Sequence, residues 1–223
     1  MNGYETVTLT DWDKVREFSD RCYHFTPSYL ERAVAIDLPH DVFSAGQIAS
    51  KAWLMNNFPF KVIEDPTVAI LGCWCGTLVE PVIDASNPRR VYGFDIDPYS
   101  IQKAEEFNQK HVENDWMFKG VVADVNTLTT SSMTFETAGE LISVRPDIVI
   151  NTSAEHMSNE WFETADINQL IIVQSNNNPD LDGHINACKD MEEFLEKYPM
   201  STVYSGEMIT PSYTRFMAIG YPS

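Results

Sequence analysis

Val68-Ala69-Ile70-Leu71-Gly72-Cys73-Trp74-Cys75-Gly76-Thr77 is the stretch on which the fold turns. A short apolar run, the length of a buried parallel strand, leads into two glycines set four residues apart. Glycines so placed let the chain turn tightly and let a ligand approach the backbone before the next helix begins. An ordinary strand-to-helix turn has the same look, so the stretch needs its context. Downstream, further apolar runs at Val91 to Phe94, Phe118 to Val122, Ile148 to Ile150 and Leu170 to Val173 alternate with helical patterns. That alternation is the signature of βαβ units and predicts an α/β, Rossmann-like, doubly wound, mostly parallel sheet. Asp97-Pro98 reads as an N-cap followed by proline at the first helical position, with Ile101, Ala104 and Phe107 as the helix stripe. Thr202 to Met208 and Arg215 to Tyr221, joined by Ile209 to Ser212, predict an antiparallel C-terminal hairpin.

Upstream of this region the texture is helical, which predicts an N-terminal helical cap over residues 1–66 and a Rossmann-like domain over 67–223. Thr10-Asp11-Trp12-Asp13 has capping-box spacing and sets Val15, Phe18 and Cys22 on one face. Ser44 stands three residues before Gln47, a second capping box, and Ile48, Ala52 and Met55 follow at helical spacing until Pro59. The face of this helix carrying Gln47, Ser50 and Lys51 reads as exposed. Met191, Phe194, Leu195 and Tyr198 mark a further helix stopped by Pro199. The polar run Gln174 to Asp182 reads as a loop at a strand end, where such sheets line their ligand crevices.

The 223 residues suffice for one sizeable core. No run of roughly 18 apolar residues occurs and the start lacks a basic segment followed by an apolar one, so the expectation is a cytoplasmic protein without a membrane partner. Cys22, Cys73, Cys75 and Cys188 are too few for a disulfide framework, and Cys73-Trp74-Cys75 lacks a second ligand pair at zinc spacing. The thiols read as packing residues, and no metal is expected. With 33 acidic against 15 basic residues the formal charge is −18, which repels a phosphate backbone and disfavours nucleic acid as a partner.

The candidate site is built at strand ends. Asp95, in Gly93-Phe94-Asp95-Ile96-Asp97, falls 23 residues after Gly72, the distance at which a carboxylate grips a ribose diol. Asp97 before Pro98 already suits the capping task, which leaves Asp95 free for a ligand. Asp124, at the end of the third run, can accept a hydrogen bond from an exocyclic amine. A glycine turn, Asp95 and Asp124 at three successive strand ends are together more specific than any one of them.

On these residues, Val68 to Asp124 with the terminal hairpin resembles the class I S-adenosylmethionine-dependent methyltransferases, over about two thirds of the chain and by element order more than identity. The resemblance implies a seven-stranded sheet and S-adenosyl-L-methionine as cofactor. It places the methionine portion over Gly72, Cys73, Trp74 and Gly76, the ribose at Asp95, and adenine near Ile96, Asp124 and Val125. The sequence departs from the family where Ile70 replaces a common acidic residue and Trp74 replaces the middle glycine. Trp74 could either stack on the sulfonium, a contact worth ~1 kcal/mol, or fill the pocket, or pack beneath the turn.

The fourth strand runs into Asn151-Thr152-Ser153-Ala154-Glu155-His156-Met157. The resemblance puts Asn151 where the family places substrate-facing groups. Glu155 or His156 can act as base for a protic acceptor, or the three can simply cap the next helix. Gln47, Lys51, His184, Tyr213 and Arg215 are the candidate substrate contacts, with Asn176 and Asn186 beside them. Neither an Asn-Pro-Pro-Tyr sequence nor a Pro-Cys pair follows the fourth strand, so the expected acceptor is a small molecule or a protein side chain. Other chemistry of the same cofactor, aminocarboxypropyl transfer or cleavage, stays open, as does a non-catalytic binding module. A nicotinamide dehydrogenase is disfavoured because the full G-x-G-x-x-G pattern is missing.

Overall fold

The computed structural model describes residues 3–20, 27–59, 62–137 and 139–223. In chain order the elements are β1 (Glu5–Thr8), α1 (Trp12–Asp20), α2 (Pro27–Ala35), α3 (Ala45–Asn57), β2 (Thr67–Leu71), α4 (Val79–Ser86), β3 (Arg90–Asp95), α5 (Pro98–Phe107) and α6 (Gln109–Glu113). They continue as β4 (Phe118–Val122), β5 (Met133–Thr137), β6 (Glu140–Val144), β7 (Ile148–Asn151), α7 (Glu160–Glu163), β8 (Leu170–Asn176), α8 (Met191–Lys197), β9 (Met200–Ile209) and β10 (Thr214–Pro222). Every strand expected from the apolar runs is present, and each expected helix lies in its place. Cys22 lies outside the described residues.

The main sheet has the order β1-β9-β10-β8-β7-β2-β3-β4. β2, β3, β4, β7 and β8 run parallel, and β10 pairs antiparallel with both β8 and β9. The sheet has eight strands rather than the expected seven because β1 adds a parallel edge beside β9, Glu5 opposite Gly206. A four-residue strand alternating Thr and Val carries too little pattern to stand out next to a strong helix signal. Its pairing also means that packing runs across residue 66: β1 joins the sheet, and α1 and α3 share one core with β2 and β3.

The two faces of the sheet are covered differently. Val68 and Ile70 of β2 point to a core shared with α1, α3, α4 and α5, while Ala69 and Leu71 point to one shared with α7 and α8. Alternate residues of a strand face opposite ways, so a strand buried on both sides reads as one continuous apolar run. Between β4 and β7 the second face is covered by the hairpin β5–β6 instead of a long helix. Phe135 of β5 meets Tyr92 and Phe94 edge-on, at 5.5 and 5.2 Å between ring centroids.

Local signals differ from expectation in four places. Asp11, not Thr10, caps α1, its carboxylate accepting from the Lys14 N–H at 2.9 Å. Ser44 precedes α3 without a side-chain cap, and the Gln47 amide oxygen instead accepts from Lys51 at 2.7 Å. Ser50 and Lys51 are buried, at 2 % and 8 % exposure, because α3 is wedged against the sheet, where Ser50 donates to Gln174. Gln174 to Asn176 belong to β8 rather than to a loop, since β10 pairs with them throughout. The Asp97 cap is as expected: its carboxylate accepts from the N–H groups of Tyr99 and Ser100. None of the described helices is long and apolar enough to cross a membrane.

Candidate functional site

Parallel register brings the chemistry to one edge. Leu71 lies opposite Phe94 and Asn151, Asp95 opposite Val122, and Asn151 opposite Val173. The strand ends therefore deliver the 72–76 turn, Asp95, Ala123, Thr152 and Asn176 to the same rim. The chain reverses its order of strand addition between β2 and β7, and at such a switch point two neighbouring loops diverge and leave a crevice.

The turn itself alternates left-handed residues, with φ of 61° at Gly72, 47° at Trp74 and 69° at Gly76. It is tied to the neighbouring strand end by Cys73 N–H to the Phe94 carbonyl, 2.9 Å, and by Trp74 N–H to Asp95 Oδ2, 2.8 Å. Asp95 Oδ1 accepts from the Asp97 N–H at 3.0 Å. The carboxylate expected to be free is thus engaged once at each oxygen. An ionised carboxylate has about four lone-pair sites, so both oxygens can still accept a hydroxyl.

A cavity of about 500 Å³ opens above the turn. Its wall takes Gly72, Cys73 and Trp74 from the turn, Asp95 and Ile96 from the end of β3, and Asp124 and Val125 from the end of β4. Gln47, Lys51 and Ile70 complete one side, and Ser153, His156 and Met157 the other. Trp74 is half-buried, with its indole packed against the cluster of Tyr29, Val42, Cys75 and Phe107 while it lines the cavity. Gly76 is absent from this wall. A Cβ on Gly76 would come within 2.8 Å of Asn108 Nδ2 and 2.9 Å of Ala104 Cβ, so this glycine admits α5 rather than a ligand. Asn151 is also absent. It is fully buried, accepting from the Ser153 N–H at 3.0 Å and donating to Met157 Sδ at 3.1 Å, which shapes the following turn.

A second cavity of about 420 Å³ adjoins the first, and Gln47 and His156 line both. Around it stand Trp12, Glu155, Asn176, His184, Tyr213 and Arg215. Of the five expected substrate contacts, Gln47, His184, Tyr213 and Arg215 border this cavity, and Lys51 borders the first. Asn186 borders neither. It donates to the Met157 carbonyl and to Asn159, and with the Ile185 and Asn186 N–H groups on the Glu155 carbonyl it pins the loop after β8 to the turn after β7.

Beneath the second cavity lies a buried polar network. Arg215 pairs with Glu155 at 3.2 Å, and its Nε donates to Gln174 at 3.2 Å. Its remaining nitrogen donates to the Thr152 carbonyl. Asn176 donates to the same Glu155 Oε1 at 2.7 Å. Glu155 Oε2 is buried without a hydrogen bond. Lys51 sits nearby, and burial together with the Arg215 charge brings its pKa down to about 7. Burial raises both turn thiols, with Cys75 pushed up to about 11 and Cys73 well above its usual value, Asp95 adding to each. Neither is a ready nucleophile at neutral pH.

The sequence reading missed Asp41, Thr77, Asn126, Thr152, Ser153 and Met157 as cavity residues. Asn126 lies two residues past Asp124, and Thr152, Ser153 and Met157 lie inside the 151–157 run, of which only Asn151, Glu155 and His156 were given roles. Asp41 comes from the segment before α3 and has no local signal.

No family model matches the chain, and no curated protein sequence matches it. Solved structures do. The magnesium protoporphyrin IX methyltransferase of Synechocystis PCC 6803, solved with bound SAM, is similar at a TM-score of 0.54 and 19% identity, covering 96% of this chain and 98% of that one. MccD protein is similar at 0.56 and 11% identity over 80% and 98% of the two chains. A putative RNA methyltransferase from Pyrococcus horikoshii is similar at 0.51 and 14% identity over 89% and 98%. At these identities the likeness shows the fold, a class I methyltransferase-like Rossmann arrangement.

Proposed function

We propose that this chain is an S-adenosyl-L-methionine-dependent methyltransferase whose acceptor is a small molecule or a protein side chain. One observation carries the reading. Asp95, at the end of β3, holds the Trp74 N–H of the glycine turn, and both line a cavity at the switch point that shares the walls Gln47 and His156 with a second cavity. One cavity suits an adenosyl ligand and the other an acceptor. The occupancy of the same fold by SAM in the Synechocystis enzyme adds support.

In this reading the backbone of Gly72, Cys73 and Trp74 lies under the methionine portion, Asp95 takes the ribose hydroxyls, and Ile96, Asp124 and Val125 flank adenine. Asp124 uses Oδ1 to accept from the Asn126 N–H at 3.0 Å, so its carboxylate keeps acceptor capacity for an amine. Transfer of a methyl group from a sulfonium is an in-line displacement, so alignment of the two cavities supplies most of the catalysis. The acceptor's proton needs a base only if it leaves as the bond forms. His156, exposed between the cavities, has that place, whereas Glu155 is committed to Arg215 and Asn176.

Calorimetric titration with S-adenosylmethionine, S-adenosylhomocysteine and NADH tests the reading. Micromolar binding of the two adenosyl ligands is expected, with none for NADH and loss of binding in Asp95→Ala that has a wild-type circular dichroism spectrum. Absence of adenosyl binding overturns the cofactor assignment and leaves a binding module on the fold. Formation of S-adenosylhomocysteine during turnover supports methyl transfer; methylthioadenosine would instead mark attack on the aminocarboxypropyl carbon.

A further inference from the structure

Glu155, His156 and His184 all line the second cavity, although 27 residues of chain lie between the two histidines. A carboxylate oxygen of Glu155 and one ring nitrogen from each histidine lie within 4.8 Å of one another. The rings meet edge-on, with centroids 4.5 Å apart. We propose that Glu155, His156 and His184 form a binding site for a divalent transition-metal cation of the zinc class, with its open coordination positions facing the second cavity.

The hydrogen bonds around the three residues suit ligation. His156 Nδ1 lies 3.2 Å from the Gly183 carbonyl and His184 Nδ1 lies 2.5 Å from the Asn178 carbonyl. A carbonyl only accepts, so in both rings the network assigns the proton to Nδ1 and leaves Nε2 as the bare, basic atom. Metal-bound histidines characteristically use their other nitrogen this way, donating to a carbonyl that fixes the tautomer and the ring orientation. Glu155 Oε1 is held by Asn176 and Arg215, while Oε2 is buried with no hydrogen-bond partner. A buried carboxylate oxygen without a partner is costly, and a cation would satisfy it.

Charge and geometry set the class of ion. Two imidazoles and one carboxylate are a zinc-type or iron-type donor set, and three protein ligands leave positions open for water or substrate. Magnesium and calcium favour all-oxygen ligands and fit less well. At roughly 2.0–2.2 Å from a shared tetrahedral ion the ligand atoms would stand about 3.5 Å apart, so the group must contract by about 1 Å. His156 is exposed and His184 half-buried, which leaves both rings room to do so. Arg215 opposes the added charge, and it pairs with Oε1 of Glu155, so a cation would be taken at Oε2.

The site does not depend on the adenosyl reading. For His156 the two roles exclude each other: a bound ion takes its basic nitrogen, and the ion rather than the ring would then acidify an acceptor oxygen.

The test uses metal-stripped full-length protein titrated with Zn²⁺ by calorimetry and with Co²⁺ by visible absorption, without cofactor or acceptor. One ion per chain is expected, with a Co²⁺ spectrum of tetrahedral or five-coordinate type. Affinity should fall at least about tenfold in His184→Gln and in His156→Gln, both with wild-type circular dichroism. Glu155→Gln is a weaker test, since it leaves Arg215 unpaired. No saturable 1:1 binding, or binding unchanged in both histidine variants, overturns the site. S-adenosylmethionine titrated into the same stripped protein reads the cofactor proposal separately, because its cavity retains Asp95 and the turn.

Discussion

Trp74 holds a backbone conformation that costs an L-residue about 1–2 kcal/mol, at a position flanked by two glycines that adopt it freely. The indole offsets that cost by packing against the aromatic cluster around Tyr29 and Phe107. The glycines differ in what they admit. Gly76→Ala combines a left-handed φ with contacts to Asn108 and Ala104 below 3 Å, and is expected to lower stability to urea by about 3 kcal/mol. Gly72→Ala meets the side chains of Met157 and Ser153 at 3.1 and 3.2 Å, and should spare more stability while weakening adenosyl binding. Equal stability losses in the two variants would contradict this division. Lys51 makes a pH-dependent prediction. Its folded pKa, about 7, lies below its ordinary value of 10.5, so between those values the unfolded chain binds a proton that the folded chain refuses. Stability then rises with pH across that window, by about 1.4 kcal/mol per unit of displacement, and the full penalty is present below pH 7. Lys51→Met should flatten the rise in urea midpoints between pH 7 and 10; an unchanged slope would show that Lys51 stays charged. At this scale Asp97 and Asp95 were legible because proline and strand ends mark them. Lys51 was not, because nothing local says which face of α3 is covered.

The parallel strands and α5 were readable as elements because each carries its own pattern: an apolar run, or an N-cap, a proline and a stripe. The hairpin β5–β6 and the edge strand β1 are stabilised by what they lie against, and isolated short strands carry weak signals. Phe135 shows the dependence, since its neighbours Tyr92 and Phe94 come from β3. Phe135→Ala is expected to cost about 3–4 kcal/mol, whereas Leu141→Ala, on the exposed strand of the same hairpin, should stay within about 0.5 kcal/mol. Similar losses for both, measured by urea unfolding, would mean that the hairpin folds as a unit on its own pairing rather than by docking. The loop after β8 is a comparable case. Its polar run reads as a loop at the crevice, but nothing in it says how it is held: Asn186 ties it to the turn after β7, where His184 stands beside His156.

For the whole molecule, a formal charge of −18 on 223 residues makes the compact state repel itself. Raising NaCl from ~10 to ~300 mM shortens the screening length from about 30 Å to below 10 Å and should raise the thermal midpoint. A flat or falling midpoint would mean that exposed local ion pairs, such as Arg16 with Asp13, outweigh the long-range repulsion. The sequence by itself determined the fold class, the strand inventory of the parallel core and the terminal hairpin, together with the rim on which Gly72, Asp95 and Asp124 stand. Those features follow from periodicity and from the spacing of motifs along the chain, which are properties of residues near one another in sequence. Only the tertiary structure decided that Gly76 admits a helix, that Arg215 is buried on Glu155, and that two cavities meet at His156. It also decided that a carboxylate and two imidazoles from separate loops converge. Such facts depend on distances between segments remote in sequence, and those distances exist only once the sheet has closed its register and the loops have been pinned upon it.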